Sequence, residues 1–211
     1  SLTGLRPSLG GTVSLNGDDI TTRSPRQIHE RSVAHVPEDR QKSGLVLDFT
    51  VTENIILDSY YEEPISRGIV MDWDEARKRA VRLVEQYDVR TPGVDVPAST
   101  LSGGNQQKVI VAREFDRDVK LVIASQPTRG IDVGSIEYIH SRIVEERDNR
   151  SAVLIVSSEL EEIMALSDRI LVMFEGQVVA EFSGDADRTE IGLAMLGSAE
   201  GTQAATEEAT A

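Results

Sequence analysis

The sequence predicts an α/β fold built on a largely parallel sheet, and three observations lead there. Two short runs, Leu121–Ala124 and Val153–Val156, have the unbroken apolar character of strands buried on both faces. Helical patterns over Gly104–Phe115 and Val133–Arg147 alternate with them, the rhythm of a sheet wound by helices. The stretch from Glu38 to Pro97 breaks that rhythm and reads as a mostly helical insert at about 38–97.

The elements follow in order. Ser1-Leu2-Thr3-Gly4-Leu5 has the form of a helix tail stopped at Gly4, with no start signal before it; the expectation is a chain truncated at its N-terminus. Thr12–Leu15 alternates and runs into Asn16-Gly17, a strand and a tight turn. Ser24 with Pro25 opens a short helix to Arg31, and Ser32–Val36 is a strand stopped by Pro37. Glu38-Asp39-Arg40-Gln41-Lys42-Ser43-Gly44 is a polar loop. Thr50 or Thr52 caps a helix to about Tyr60. Asp72 caps another over Trp73–Tyr87, with Arg and Glu on one side and Ala, Val and Leu on the other. Thr91–Pro97 holds two prolines and a glycine and is a loop. Beyond the alternating core, Glu159–Leu166 is a short helix, and Ile170–Phe174 and Val178–Phe182 flank Glu175-Gly176-Gln177 as a hairpin. Residues 198–211 have no apolar period and an acidic balance, a disordered tail.

Composition narrows the function. The 211 residues carry 22 Lys and Arg against 36 Asp and Glu, a net charge of −14, which excludes the basic footprint of a general nucleic-acid binder. The absence of Cys removes disulfides, thiolate zinc sites and cysteine nucleophiles. No apolar run approaches the roughly 20 residues of a membrane span. A soluble protein of a reducing compartment is expected, with any membrane contact made through a partner. His29, His35 and His140 have no ligand spacing, so no metal site is expected; Trp73 reads as a packing residue at a helix start; Glu145-Glu146 and Glu161-Glu162 read as exposed helix faces.

Leu101-Ser102-Gly103-Gly104-Asn105-Gln106-Gln107 carries the chemistry. A serine and two glycines open a helix, where bare backbone, free N–H groups and the helix dipole favour an anion, and Ser102 adds a hydroxyl donor. Downstream come the apolar strand, then Ser125-Gln126-Pro127-Thr128-Arg129-Gly130-Ile131-Asp132, then the second strand ending in Ser157-Ser158-Glu159.

That order and spacing resemble the ATP-binding cassette (ABC) family over about residues 1–197. Leu101–Gln107 is similar to its signature motif, and Leu121–Gln126 lies where it keeps the Walker B strand. Thr128–Asp132 matches its D-loop, Ser158 falls at its switch-histidine position, and Val36–Arg40 falls at its Q-loop. The likeness is closer still to the second nucleotide-binding half of tandem ATPases of simple-sugar and nucleoside importers. Pro37–Arg40, Gly44–Leu47, Thr52–Asn54, Pro127–Gly134 and Ser157–Leu160 carry it, and the Gln126-Pro127-Thr128-Arg129-Gly130 run is nearer the nucleoside branch.

The resemblance implies a P-loop NTPase-like ATPase core with an inserted helical subdomain, residues 1–197 forming one nucleotide-binding domain that lacks its Walker A region. It implies ATP and Mg2+ as cofactors, the ion held mainly by the partner half. Its implied partners are a second nucleotide-binding domain, transmembrane permease subunits and, indirectly, a solute-binding protein, at the cytoplasmic face of the cell membrane. In the family two halves dimerise head to tail. Leu101, Ser102, Gly103, Gly104 and Gln106 would therefore face ATP held by the other half, and Asp132 would reach across. Glu38, Asp39 and Arg40 would take part in coupling to the permease.

Departures from the family pattern are informative. None of the lysines follows a glycine, so the chain contains no phosphate loop. Ser125 and Gln126 stand where the family has carboxylates: a hydroxyl is a poor ligand for a hard cation, and an amide cannot act as a base. Ser158 replaces an imidazole and Glu38 a glutamine, leaving Glu159 and Asp132 as the nearby carboxylates that could substitute. The expectation is an ATPase half whose own site is degenerate. Two alternatives stay open: a regulatory or structural module bound to a permease, and a non-transport cassette ATPase, which the lack of heptads between Glu38 and Pro97 and the acidic charge disfavour. Without a phosphate-loop strand, an unpaired edge and self-association of the isolated chain are also expected.

Overall fold

Asn16 and Gly17 take φ of 52° and 88°, and this pair of left-handed residues folds β1 (Ser14–Leu15) back antiparallel on β2 (Asp18–Asp19). The computed structural model describes residues 2–197, in two compact units, Ser1–Val156 and Ser157–Ala211. The expected tail over 198–211 lies outside the described residues.

In the first unit, Ser24 caps α1 (Pro25–His29). Its hydroxyl accepts from the Gln27 N–H while the Gln27 side chain accepts from the Ser24 N–H. β3 (Val33–Val36) follows. Where a polar loop was expected, Asp39 caps one wide π-helical turn, Arg40–Gly44. Thr50 caps α2 (Val51–Ile55), which stops well short of Tyr60 because Ile56 leaves helical geometry. The Val51 and Thr52 N–H groups, orphaned at the helix start, donate to the carbonyls of Val96 and Val94, so the 91–97 loop closes α2. A small hairpin, β4 (Ser66–Arg67) and β5 (Val70–Met71), for which the sequence showed no signal, leads into α3 (Trp73–Gln86). Then come α4 (Gly103–Phe115), β6 (Leu121–Ser125), α5 (Val133–Asp148) and β7 (Ala152–Val156).

β3, β6 and β7 form one parallel sheet in that order, with Val33 opposite Leu121 and Leu121 opposite Ala152. β6 is covered on both faces as expected. Val122 and Ala124 join Val36, Ile110 and Ile139 in the main core, while Leu121 and Ile123 pack with Ile20 and Ile28. β7 corrects the expectation of a second doubly buried strand. It is last in the sheet, Val153 and Ile155 pack on the core, and Leu154 and Val156 are exposed. An apolar run reads the same whether its second face finds a cover or not. The opposite edge is closed by side chains: the His35 N–H donates to Glu114 at 3.0 Å, and the Val33 carbonyl accepts from Arg117 at 2.5 Å.

The helical insert has no core of its own. Ile55, Ile65, Leu83 and Tyr87 lie in the same cluster as Ala34 and Ala124. Asn54, fully buried, pins the bend before α2. Its Oδ1 accepts from the Val46 N–H at 2.8 Å, and its amide donates to the carbonyls of Val46, Phe49 and Thr50. Arg113 donates to the carbonyls of Gly44 and Asn54 and pairs with Glu114 at 3.1 Å.

The second unit holds α6 (Leu160–Leu166), the expected hairpin of β8 (Arg169–Phe174) and β9 (Gln177–Ser183), and α7 (Arg188–Met195), a helix beyond the sequence expectations, capped by Asp187. Ile170, Val172, Ala180, Ile191 and Ala194 are its core. Two surface expectations fail: Glu146 on α5 and Glu162 on α6 are buried, and burial raises the Glu146 carboxyl. Trp73, expected to pack, is half-exposed.

Candidate functional site

Ser102 is the N-cap of α4. Its Oγ accepts from the Asn105 side-chain amide at 2.9 Å and, more distantly, from the Asn105 N–H. Asn105 is itself fixed by accepting from the Arg90 N–H at 2.8 Å. With its oxygen engaged as an acceptor, the exposed hydroxyl keeps its proton to donate. It does so at a helix start whose first-turn N–H groups have no partner within the helix. Asn105, part of the Leu101–Gln107 motif but not singled out in the sequence reading, thus fixes the Ser102 hydroxyl; its place three positions after a serine cap is the signal.

Both glycines have close neighbours. A Cβ on Gly103 would lie 2.7 Å from the Arg40 guanidinium, and one on Gly104 would lie 2.1 Å from the Ser135 Oγ and 2.7 Å from Asp132 Oδ2. The side chains of two further signature residues are engaged within the chain. Leu101 is buried in the core. Gln106, 3% exposed, donates to the Ala98 carbonyl and accepts from the Gln41 amide at 3.2 Å.

Ser125 closes β6 opposite Val156. Gln126 takes φ of 49°, a left-handed conformation unusual for a side chain of its length, and its N–H donates to the Val156 carbonyl at 2.7 Å. The chain then turns through Arg129 and Gly130, φ 67°, into the cap of α5. Asp132 is that cap. One carboxylate oxygen accepts from the Ser135 N–H at 3.0 Å, the other from the Ser135 hydroxyl at 2.8 Å, and these bonds hold the carboxyl below the ordinary carboxylate range. In the chain by itself this exposed carboxylate is bonded to its own helix.

Segment 38–41 meets this turn. Glu38 accepts from the Arg129 guanidinium at 2.8 Å, and Arg40 donates to the carbonyls of Arg129 at 2.7 Å and Gly130 at 3.1 Å. Asp39 faces the other way and accepts from the Gln41 and Lys42 N–H groups. In the second unit, Ser158 lies exposed in the turn before α6, where the Glu159 N–H donates to the Ser157 hydroxyl.

Among the described residues no cluster of His, Asp and Glu could hold a metal ion. With serine and glutamine at 125 and 126, this chain's residues do not fit a magnesium site. A cavity of about 450 Å³ lies elsewhere in the first unit; on its wall His29 Nε2 lies 3.1 Å from Asp58 Oδ2, and Arg79 and Arg82 both pair with Asp116.

Residues 1–129 match the family model described as ABC transporter. The guanosine import ATP-binding protein NupO of Bacillus subtilis (strain 168) is 51% identical over 199 residues, 94% of this chain and 39% of that protein. The nucleoside import ATP-binding protein NupA of Lactococcus lactis subsp. cremoris (strain MG1363) is 50% identical over 198 residues, 93% of this chain and 39% of that protein. The chain thus spans 39% of the length of these curated relatives. A nucleotide-free ATP-binding cassette from an ABC transporter has the same fold, with a TM-score of 0.72 at 22% identity over 96% of this chain and 79% of that one. The α/β cassette fold expected from the sequence is the fold observed, and with more than half its length under the family model, the chain belongs to the ABC transporter family.

Proposed function

We propose that this chain is the ATP-binding part of an importer for nucleosides or simple sugars, in which the Ser102–Gly104 lip closes on ATP held by a second nucleotide-binding domain. One observation carries the reading: the Ser102 hydroxyl, its oxygen engaged by Asn105, has a proton to donate at the exposed start of α4. When bound, ATP supplies the phosphoanhydride that the complete assembly hydrolyses. Ser102 and the first-turn N–H groups would bind and orient its anionic end, and the α4 dipole would stabilise the charge.

The chain's own half is read as degenerate. Ser125 and Gln126 offer neither a hard-cation ligand nor a base, so Mg2+ would be held mainly by the partner half. Residues 1–197 would act as one nucleotide-binding domain, with the 38–97 insert and Glu38–Arg40 toward transmembrane permease subunits and a solute-binding protein reached only through them. That arrangement is peripheral, at the cytoplasmic face of the membrane, and involves no nucleic acid, in keeping with the charge of −14. The names of the two relatives support nucleosides as the solute class.

Ser102→Arg in the intact transporter should abolish ATPase, because a bulky cation then occupies the lip. Ser125→Asp with Gln126→Glu should change turnover little. Full turnover by Ser102→Arg would overturn the reading. A second reading, a nucleotide-free module holding a permease, draws on the same lost carboxylates; failure of the complete half to bind nucleotide would favour it.

A further inference from the structure

Three elements distant in sequence converge on one side chain. Arg40 begins the π-helical turn, and its Nη1 and Nη2 donate to the adjacent carbonyls of Arg129 and Gly130, the forked geometry that a guanidinium alone supplies. On its other side the guanidinium abuts α4: a Cβ on Gly103 would lie 2.7 Å from Nη2 and 3.2 Å from Cζ, and 3.3 Å from the Gly130 carbonyl. The planar group thus fills the gap between the start of α4 and the turn before α5. Its neighbours reinforce the joint. Glu38 takes the Arg129 side chain, and Gln41 takes the Gln106 side chain one helical turn into α4.

We propose that Arg40 is a positioning residue that sets the spacing between the Ser102–Gly104 lip and the Arg129–Gly130 turn, so that displacement of segment 38–44 is passed directly to the lip. The inference rests on the functional reading above and adds to it a named mechanical link. Arg40 acts through Gly103 and Gly130 and touches no nucleotide. A displaced π-turn drags its two carbonyl bonds to the Arg129–Gly130 turn, and the same plane presses on or withdraws from Gly103. At Gly103 the absence of a side chain leaves room for this plane.

The test is a double-mutant cycle in the intact transporter, read as ATPase kinetics and as the ratio of solute-stimulated to basal turnover. Arg40→Ala should keep the melting temperature of the parent, raise KM for ATP about tenfold for the lost charge-assisted bonds, and erase solute stimulation. Arg40→Lys should restore part of both. Gly103→Ala, which drives a methyl into the guanidinium, should show the same defects. In the Arg40→Ala background Gly103→Ala should cost little more, because the clash is gone. Additive effects of the two, or parental KM and stimulation in Arg40→Ala, would overturn the link. Should Arg40→Ala fail to fold, the comparison of Gly103→Ala with Gly103→Ala plus Arg40→Lys decides, since the shorter, unforked side chain relieves the contact. An inactive Ser102→Arg beside a parental Arg40→Ala overturns this link alone. A fully active Ser102→Arg removes the functional reading beneath it.

Discussion

Gly104 and Ser135 stand so close that any side chain on the glycine would enter the serine: a Cβ there would lie 2.1 Å from Oγ and 2.9 Å from the Ser135 Cβ. The same hydroxyl donates to Asp132, the cap of α5. The start of α4 and the start of α5 therefore share one polar joint, and the second glycine of the lip is required by packing within the chain.

From this joint, Gly104→Ala should lower stability by about 1–3 kcal/mol, the usual range for overpacking a tight site. Adding Ser135→Ala removes the hydroxyl but leaves its Cβ, so the pair should recover part of the loss. Urea denaturation midpoints measure both. An unchanged midpoint in Gly104→Ala would show that the joint yields freely.

Asn54 offers a second test. It is fully buried and satisfies an N–H and three carbonyls around the bend before α2. Asn54→Ala strands the Val46 N–H and should cost about 3 kcal/mol, at the upper end for a buried orphaned donor. Asn54→Asp should be worse, because it sets a carboxylate against those carbonyls. A midpoint for Asn54→Asp above that of Asn54→Ala would count against the account.

His35 makes stability depend on pH. Burial pulls its pKa below the ordinary 6.5; the Glu114 carboxylate opposes that and the Arg113 guanidinium reinforces it. The unfolded chain then binds a proton that the folded one refuses. Stability is full above 6.5 and declines as pH falls from there through the folded pKa. His35→Gln should flatten the dependence of melting temperature on pH in that window. The same slope in the variant would assign it to other groups.

The β7 edge predicts association. No described strand pairs with its outer side, and Leu154 and Val156 are exposed. The 211-residue chain by itself should scatter light increasingly with concentration. Val156→Lys, which leaves the backbone bonds to β6 and Gln126 in place, should reduce that. A cooperative, monomeric melt of the parent chain at high concentration would contradict it.

Much of the fold was legible because its signals are local. Ser24, Thr50, Asp72 and Ser102 cap helices where a short polar side chain precedes a helical period. Asn16-Gly17 and Glu175-Gly176 mark both hairpin turns that were expected. The small β4–β5 hairpin was not legible. With two residues per strand, it has no period to detect, and the flanking Asp72 and Ser66 N–H groups are tied to the carbonyls of Ile65 and Glu62. The candidate site divides the same way. The serine and glycines of the lip were visible as residue types, but Asn105, which holds the hydroxyl, was not singled out.

What the sequence by itself determined is the alternation of strands and helices, the caps, and the run of motifs from Leu101 to Ser158, since each depends on residues within a turn or two of one another. Only the tertiary structure decided which way Leu101, Gln106 and Asp132 face, that one face of β7 stays open, and that Arg40 lies between Gly103 and Gly130. Those outcomes depend on partners far apart along the chain. Arg40 and Gly130 meet across 90 positions, and no local pattern encodes which carbonyl a guanidinium will find once the sheet has brought its ends together.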